Sequence, residues 1–258
     1  GADSLYEAAG IIAQSEANVS QLFGCDTFYS TEGSSQCIRA MLYLACIGAE
    51  GKPVVLAGRN AHKTFLSASA LIDFDVEWIY GEKHGSYLSC DISAEYLEDV
   101  LQKTENKPAA VYITSPDYLG NVADIKSIAD VCHRHGVMLL VDNAHGAYLK
   151  FMQQSRHPID MGADMCCDSL HKSLPVLTGG ALLHLKEGSL REKAKQKMRL
   201  FGSTSPSYLT MMSLDLCNKY LADGYEKKLE SCINKICQLK SFIKSLGFMV
   251  LDTEPLKL

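Results

Sequence analysis

No apolar run in this chain approaches the ~20 residues needed to span a bilayer, and its first residues carry neither the basic nor the apolar region of a signal peptide. These absences predict a soluble, cytosolic protein. Lys and Arg cluster nowhere beyond KEGSLREKAKQKMR, the surface of one predicted helix. With a net charge of -5, neither nucleic acid nor a membrane is expected as a partner. Nucleotide signatures are missing as well. No GxGxxG follows a strand, and GAEGKP has the wrong spacing, with a proline where a phosphate-binding loop needs Ser or Thr. CxxC does not occur, which counts against a structural zinc. Internal repeats and low-complexity segments are also absent.

Apolar residues are plentiful. With 258 residues, 47% of them hydrophobic, the chain can bury a substantial core and is compatible with one large α/β domain. Ten cysteines, among them Cys46, Cys132, Cys166, Cys167 and Cys237, fall in apparent core elements without the rhythm of a disulfide scaffold. That is the pattern of reduced thiols used as small hydrophobes.

Tyr6 to Leu22 carries apolar residues at helical spacing and stops at Gly24, which predicts an amphipathic helix. After a strand at Thr27 to Ser30, Gly33, Ser34 and Ser35 open a long helix reaching about Ile47. A strand leading into small residues at a helix N-terminus offers N–H groups and the positive dipole end to an anion such as phosphate, although an ordinary N-cap has the same look. PVVLAG, VEWIY and AAVYIT read as strands. RNAHKTFLSASALI, SAEYLEDVLQK and Asp124 to His135 read as the helices between them, with His62 and Lys63 in the first turn of the first. VMLLV then runs into Asp142, and GALLHL follows the next turn too closely for a crossover, so it is expected to be antiparallel. From Leu190 the chain turns helical and basic. Tyr225 to Leu246 predicts a long amphipathic helix and FMVL a short strand. A chain stopping on an apolar strand predicts a segment cut from a longer protein.

Strands alternating with helices at this spacing indicate a mainly parallel sheet covered on both faces, an α/β fold of three α/β/α layers. Ligands of such sheets gather beyond the carboxyl ends of the strands. Ser34, His62, Tyr118, Asp142, His145 and Lys172 all fall there. Lys172 lies between Ser169, His171, Ser173 and a Pro-Val-Leu-Thr-Gly-Gly turn, and reads as a buried lysine poised as a nucleophile. An amine attacks a carbonyl only when neutral, which requires desolvation or a neighbouring positive charge. A rival reading takes DNAH (Asp142 to His145) and DSLH (Asp168 to His171) as two Asp-x-x-His pairs of a metal-dependent hydrolase, with His62 as a further ligand. CHRH (Cys132 to His135) reads as the last turn of a surface helix. An anion-binding helix start, a histidine, an acid and a lysine form the set that pyridoxal phosphate needs, for its phosphate, ring, pyridine nitrogen and aldehyde respectively.

STEGSSQ, RNAHKT, TSPDYLGN, VDNAHGAYL and above all DSLHKSLPVLTGGALLHL resemble the large domain of the Orn/Lys/Arg decarboxylases, within the fold type I, aspartate aminotransferase-like enzymes of pyridoxal phosphate. The resemblance implies a seven-stranded, mainly parallel sheet with one antiparallel strand. It implies that Lys172 binds the cofactor's aldehyde, that Asp142 pairs with the pyridine nitrogen and that His62 stacks on the ring. Gly33, Ser34, Ser35, Ser169 and His171 would then hold the phosphate, with His145 beside Lys172 as a further proton donor. Residues 1–246 would form the cofactor-binding domain, lacking an N-terminal portion, and 247–258 the start of a small C-terminal domain. The implied activity is decarboxylation of arginine, lysine or ornithine to an amine of polyamine biosynthesis, in a homodimer or higher homo-oligomer. Transamination and β-elimination remain open as alternatives. Two positions depart from the family's pattern: Asn143 stands where glutamate is common, and Asp117 where threonine is frequent.

Overall fold

Short apolar strands and amphipathic helices alternate along most of the chain. The computed structural model describes residues 3–82, 88–186, 188–251 and 253–257. In chain order the elements are α1 (Ile11–Phe23), β1 (Asp26–Ser30), α2 (Ser34–Cys46), β2 (Val54–Gly58), α3 (Lys63–Ile72) and β3 (Asp75–Ile79). They continue with α4 (Ala94–Lys103), β4 (Ala110–Thr114), α5 (Ile125–Arg134), β5 (Met138–Asp142), a 3-10 turn (Ala147–Phe151) and β6 (Met165–Asp168). The remainder is α6 (Leu170–Ser173), β7 (Ala181–Leu185), α7 (Arg191–Leu200), α8 (Tyr208–Ala222) and α9 (Tyr225–Ser245).

The strands form one seven-stranded sheet in the order β1-β7-β6-β5-β4-β2-β3. β7 runs antiparallel to both β1 and β6, while β6, β5, β4, β2 and β3 pair in parallel. This is the α/β sheet expected from the sequence, with GALLHL as its reversed strand. Side chains alternate between the two faces, as the pleat requires. Val55, Tyr112, Leu140, Cys167 and Leu183 pack on α2, α3 and α7. On the other face Leu56, Val111, Leu139 and Cys166 pack on α4 and α5, with α1 and α8 completing that layer around Tyr29 and Leu182.

Several expectations need correction. Helix α1 begins at Ile11 rather than Tyr6 because the Asp3 carboxylate accepts from the amides of Ala9, Gly10 and Ile12, pinning the preceding segment as a loop. FMVL is not a strand. Gly247 has φ +86°, and Phe248 and Met249 are exposed beyond it with no neighbouring strand among the described residues. Cys237 is exposed on α9, whereas Cys46, Cys132, Cys166 and Cys167 are buried; all ten cysteines are free thiols. CHRH does end a surface helix, and each of its last three side chains finds an acid: His133 meets Asp164 at 3.1 Å, and Arg134 and His135 meet Glu98 at 2.6 and 2.7 Å. Among the described residues no helix is long and apolar enough to cross a membrane.

Two glycines join the start of α2 to the turn after α6. The Gly33 amide donates to the carbonyl of Gly179 at 2.8 Å. Gly179 has φ +95°, and a Cβ there would lie 2.6 Å from the Thr31 carbonyl oxygen. Gly48 is also left-handed, with φ +86°, but a Cβ there meets nothing within 4 Å. In urea unfolding, Gly179→Ala is expected to lose roughly 1–3 kcal/mol more than Gly48→Ala, the added penalty of forcing backbone apart at a constrained site. Equal losses would mean that this close approach does not constrain the fold.

Candidate functional site

Strands β1, β2, β4, β5 and β6 end on the same edge of the sheet, and the segments leaving them build one cleft. Ser34, Asn60, His62, Thr114, Pro116, Tyr118, Asp142, Ala144, His145 and Lys172 line it. Five of the residues singled out from the sequence as cofactor-binding or catalytic therefore share one cavity: Ser34, His62, Asp142, His145 and Lys172.

Asp142 is the last residue of β5 and is almost wholly buried. The Ala144 amide donates to its Oδ1 at 3.2 Å and the Tyr112 hydroxyl to its Oδ2 at 3.1 Å. Burial raises its pKa above the usual carboxylate value; these two donors and the positive charges of Lys172 and His62 pull the other way. Lys172 lies in the single turn of α6, and its Nζ donates to Nε2 of His145 at 3.1 Å. The expectation of a buried lysine is not met. A turn standing on the end of β6 projects the side chain into an open cleft, and Lys172 is exposed. His145 is more enclosed. Burial first, then the charge of Lys172, lowers its pKa to about 4, so it is a neutral acceptor at physiological pH. The ring of Tyr118 stands 6.5 Å from that of His145, edge to face.

His62 caps α3, its Nδ1 accepting from the Thr64 amide at 3.2 Å and lying 3.0 Å from the Thr64 hydroxyl. The same hydroxyl is 3.1 Å from that of Ser35, so Thr64 ties the first turn of α2 to the histidine. Burial lowers the pKa of His62, opposed by the negative charge of Asp142. Gly33 precedes α2 as its N-cap at φ +71°, and no side chain caps the helix. Ser169 and His171 flank the first residue of α6. The Ser169 hydroxyl is buried without a partner among the described residues, while Nδ1 of His171 lies 3.1 Å from the Gly180 carbonyl.

The four-residue metal constellation of Asp142, His145, Asp168 and His171 is not assembled. Side chains alternate along β6, so Cys167 faces Asp142, at 3.7 Å from Sγ to Oδ1, whereas Asp168 points to the opposite face. There Asp168 accepts from Asn143 Nδ2 at 2.6 Å and meets the imidazoles of His157 and His184 at 3.1 Å each. Asn143 thus takes its place as the bridge between the Asp142 loop and Asp168. Asp117 closes its own loop, accepting from the amides of Leu119 and Asn121 at 2.9 Å.

The sequence alone does not single out Tyr112, Thr64 or Asn60. Tyr112 carries a signal in retrospect: a hydroxyl in the middle of the apolar strand AAVYIT must find a partner, and on a parallel neighbour that partner lies toward the strand end. In the folded protein the His145 ring is expected to titrate near pH 4 by NMR; a midpoint at or above its ordinary 6.5 would contradict the enclosure described. Because the unfolded chain takes up this proton at the higher pH, His145 contributes stability above about pH 6.5 that is lost progressively as pH falls toward 4.

Residues 1–254 match the family defined as Orn/Lys/Arg decarboxylase, major domain. An arginine decarboxylase of Halalkalibacterium halodurans is 32% identical over 85% of this chain and 45% of its own length. The uncharacterized protein YaaO of Bacillus subtilis is 29% identical over the whole chain and 56% of its own length. The chain thus spans about half the length of the curated relatives it matches. Among solved structures, the lysine decarboxylase LdcF of Francisella novicida superposes with a TM-score of 0.81 at 20% identity, covering 95% of this chain and 36% of that one. A serine palmitoyltransferase of Sphingomonas wittichii gives 0.73 at 15% identity, over 93% of this chain and 58% of the other. With its sheet order, its strand-end cleft and a match spanning nearly its full length, this chain belongs to the Orn/Lys/Arg decarboxylase family, of which it carries the major domain.

Proposed function

We propose that this chain is the cofactor-binding domain of a pyridoxal-phosphate decarboxylase acting on a basic amino acid. The observation that carries this reading is the shared cleft: a lysine amine and a buried carboxylate line the same cavity as the start of an uncapped helix. When bound there, pyridoxal phosphate supplies a carbonyl for amines and an electron sink for the bond that breaks.

The residues present fit that group. The buried Ser169 hydroxyl has no partner among the described residues, and with Gly33, Ser34, Ser35 and His171 it would hold the phosphate against the positive end of α2. His62, fixed by Thr64, would lie on the ring. Asp142 would keep the pyridine nitrogen protonated, a charge pair worth roughly 4 kcal/mol at ~4 Å and an effective dielectric near 20. Lys172 would carry the cofactor and yield it to the substrate amine. Neutral His145 orients the Lys172 amine through the 3.1 Å contact. After CO2 leaves, Lys172, held by the neutral His145 that accepts from it, would return a proton to the same carbon. On this reading residues 1–246 form the large domain, 247–258 lead into a small domain, and the enzyme works as a cytoplasmic homo-oligomer that feeds polyamine synthesis.

Full-length protein supplied with the cofactor should release CO2 from arginine, lysine or ornithine, and keto-acid production without CO2 would instead point to transamination. Borohydride treatment followed by peptide mass spectrometry should find the pyridoxyl group on Lys172 and none after Lys172→Ala; an adduct on another lysine would remove Lys172 from its role. Asp142→Ala should lower the rate by about a thousandfold, the equivalent of roughly 4 kcal/mol, with a much smaller drop in cofactor content. Parallel losses would count against the electron-sink role.

A further inference from the structure

Behind the cleft, on the opposite face of β6, lies a second cluster that the decarboxylation reading does not use. Cys166 and Asp168 sit two residues apart on β6, so the pleat puts both on one face. His184 is the direct partner of Cys166 on β7, and His157 arrives from the segment before β6. All four side chains are completely buried. Nε2 of each histidine lies 3.1 Å from Asp168 Oδ2, and Cys166 Sγ lies 4.0 Å from Nε2 of His157. One ligand atom from each residue can be chosen so that all lie within 4.8 Å of one another.

The hydrogen bonding around His184 calls for a positive centre. The Thr27 hydroxyl donates its one proton to the Cys25 carbonyl at 3.3 Å. With the hydroxyl proton on that carbonyl, Thr27 accepts from Nδ1 of His184, 2.9 Å away, and the proton of a neutral imidazole sits on Nδ1. Nε2 would then turn a lone pair toward a carboxylate oxygen at 3.1 Å, which is repulsive unless a cation lies between them. A second proton on the ring or a metal ion can fill that role. The donor set favours the metal. Two imidazole nitrogens, a carboxylate oxygen and a thiolate are zinc ligands, and with bonds of about 2.0–2.3 Å a tetrahedral site has edges of roughly 3.3–3.8 Å. The two N···O edges already lie close to that range, and the widest separation need contract by only about 1 Å. Charge closes as well: a divalent ion, one carboxylate and one thiolate sum to zero, so the buried group carries no net charge. Outer contacts hold two of the four ligands, whereas Nδ1 of His157 is buried with no partner among the described residues. Nδ1 of His184 is held by Thr27, and Asn143 donates to the other oxygen of Asp168. Phe23 covers both imidazoles, its ring centroid 5.3 Å from that of His157 and 4.5 Å from that of His184.

We propose that His157, Cys166, Asp168 and His184 hold one structural zinc ion, four-coordinate and closed to solvent. Binding releases to solvent both the Cys166 thiol proton and the second ring proton that otherwise lies between His184 and Asp168, and forms the zinc–sulfur and zinc–nitrogen bonds with no change of oxidation state. The absence of CxxC does not bear on such a site, because its ligands come from alternate positions of one strand, the register partner on the next and a preceding loop.

Untagged protein purified from zinc-supplemented cells and desalted is expected to carry one zinc per chain by mass spectrometry. Cys166→Ser and His184→Gln should lose it, and Thr27→Ala should weaken zinc affinity about ten- to a hundredfold. Cobalt replacement should give thiolate-to-metal absorption that Cys166→Ser abolishes. If the variants fail to fold, the unmodified protein decides, through its metal content and a rise in Tm when zinc is returned to chelator-treated protein. Metal-free protein whose Tm does not respond to zinc would overturn the proposal in favour of a protonated histidine paired with Asp168. Because zinc content is read without the cofactor, zinc binding without cofactor uptake would sink the decarboxylase reading alone.

Discussion

The site depends on keeping one carboxylate dry at the end of a parallel strand. Asp142 has left water almost entirely, and two neutral donors, the Ala144 amide and the Tyr112 hydroxyl, do not replace full hydration of an anion. The charge of Lys172, which faces the same cleft, offsets part of the deficit, and burial still holds the pKa of Asp142 above its usual value. Removing a cation from this cleft leaves the acid poorly compensated, whereas placing one against it strengthens both. A site arranged in this way suits a positively charged atom at one fixed point, the place that the proposed function gives to the protonated pyridine nitrogen.

Much of this was legible in the sequence because the edge of a parallel sheet is a predictable place. Apolar runs such as VMLLV and AAVYIT mark strands buried on both faces, and whatever polar residue ends them is delivered to the ligand edge. The antiparallel β7 followed from the short link after Lys172. Contacts made across the chain were harder to see. Asp3 resets the start of α1 from outside the helix, which no periodicity reports. FMVL has strand composition but no partner, and composition alone does not pair a strand. Asp168 illustrates the central ambiguity. The spacing in DSLH suggests a ligand pair with His171, yet the helical turn of α6 intervenes and the pleat of β6 sends the carboxylate to the other side.

Strand β6 therefore serves two environments at once. Cys167 contacts Asp142 at the foot of the cleft, while Cys166 and Asp168 belong to the histidine cluster on the far face. Asn143 joins the two, adjacent to Asp142 in sequence and bonded to Asp168 across the sheet. A glutamate at that position, common in the family, would set a second acid against Asp168. The departure at Asn143 thus matches the acid that this chain carries on β6.

The reversed course of β7 has a consequence for how the gene can vary. Between Lys172 and His184 the chain makes a single return through Leu174–Gly180, so this link fixes the phase of the strand that follows it. An insertion or deletion of one residue there would slide β7 by one position against both neighbours and turn His184 outward while Leu183 turned in. Such length changes are ordinarily accommodated in surface loops. In this one they would also displace the Gly33–Gly179 and His171–Gly180 contacts beside the lysine, so the hairpin should be frozen in length.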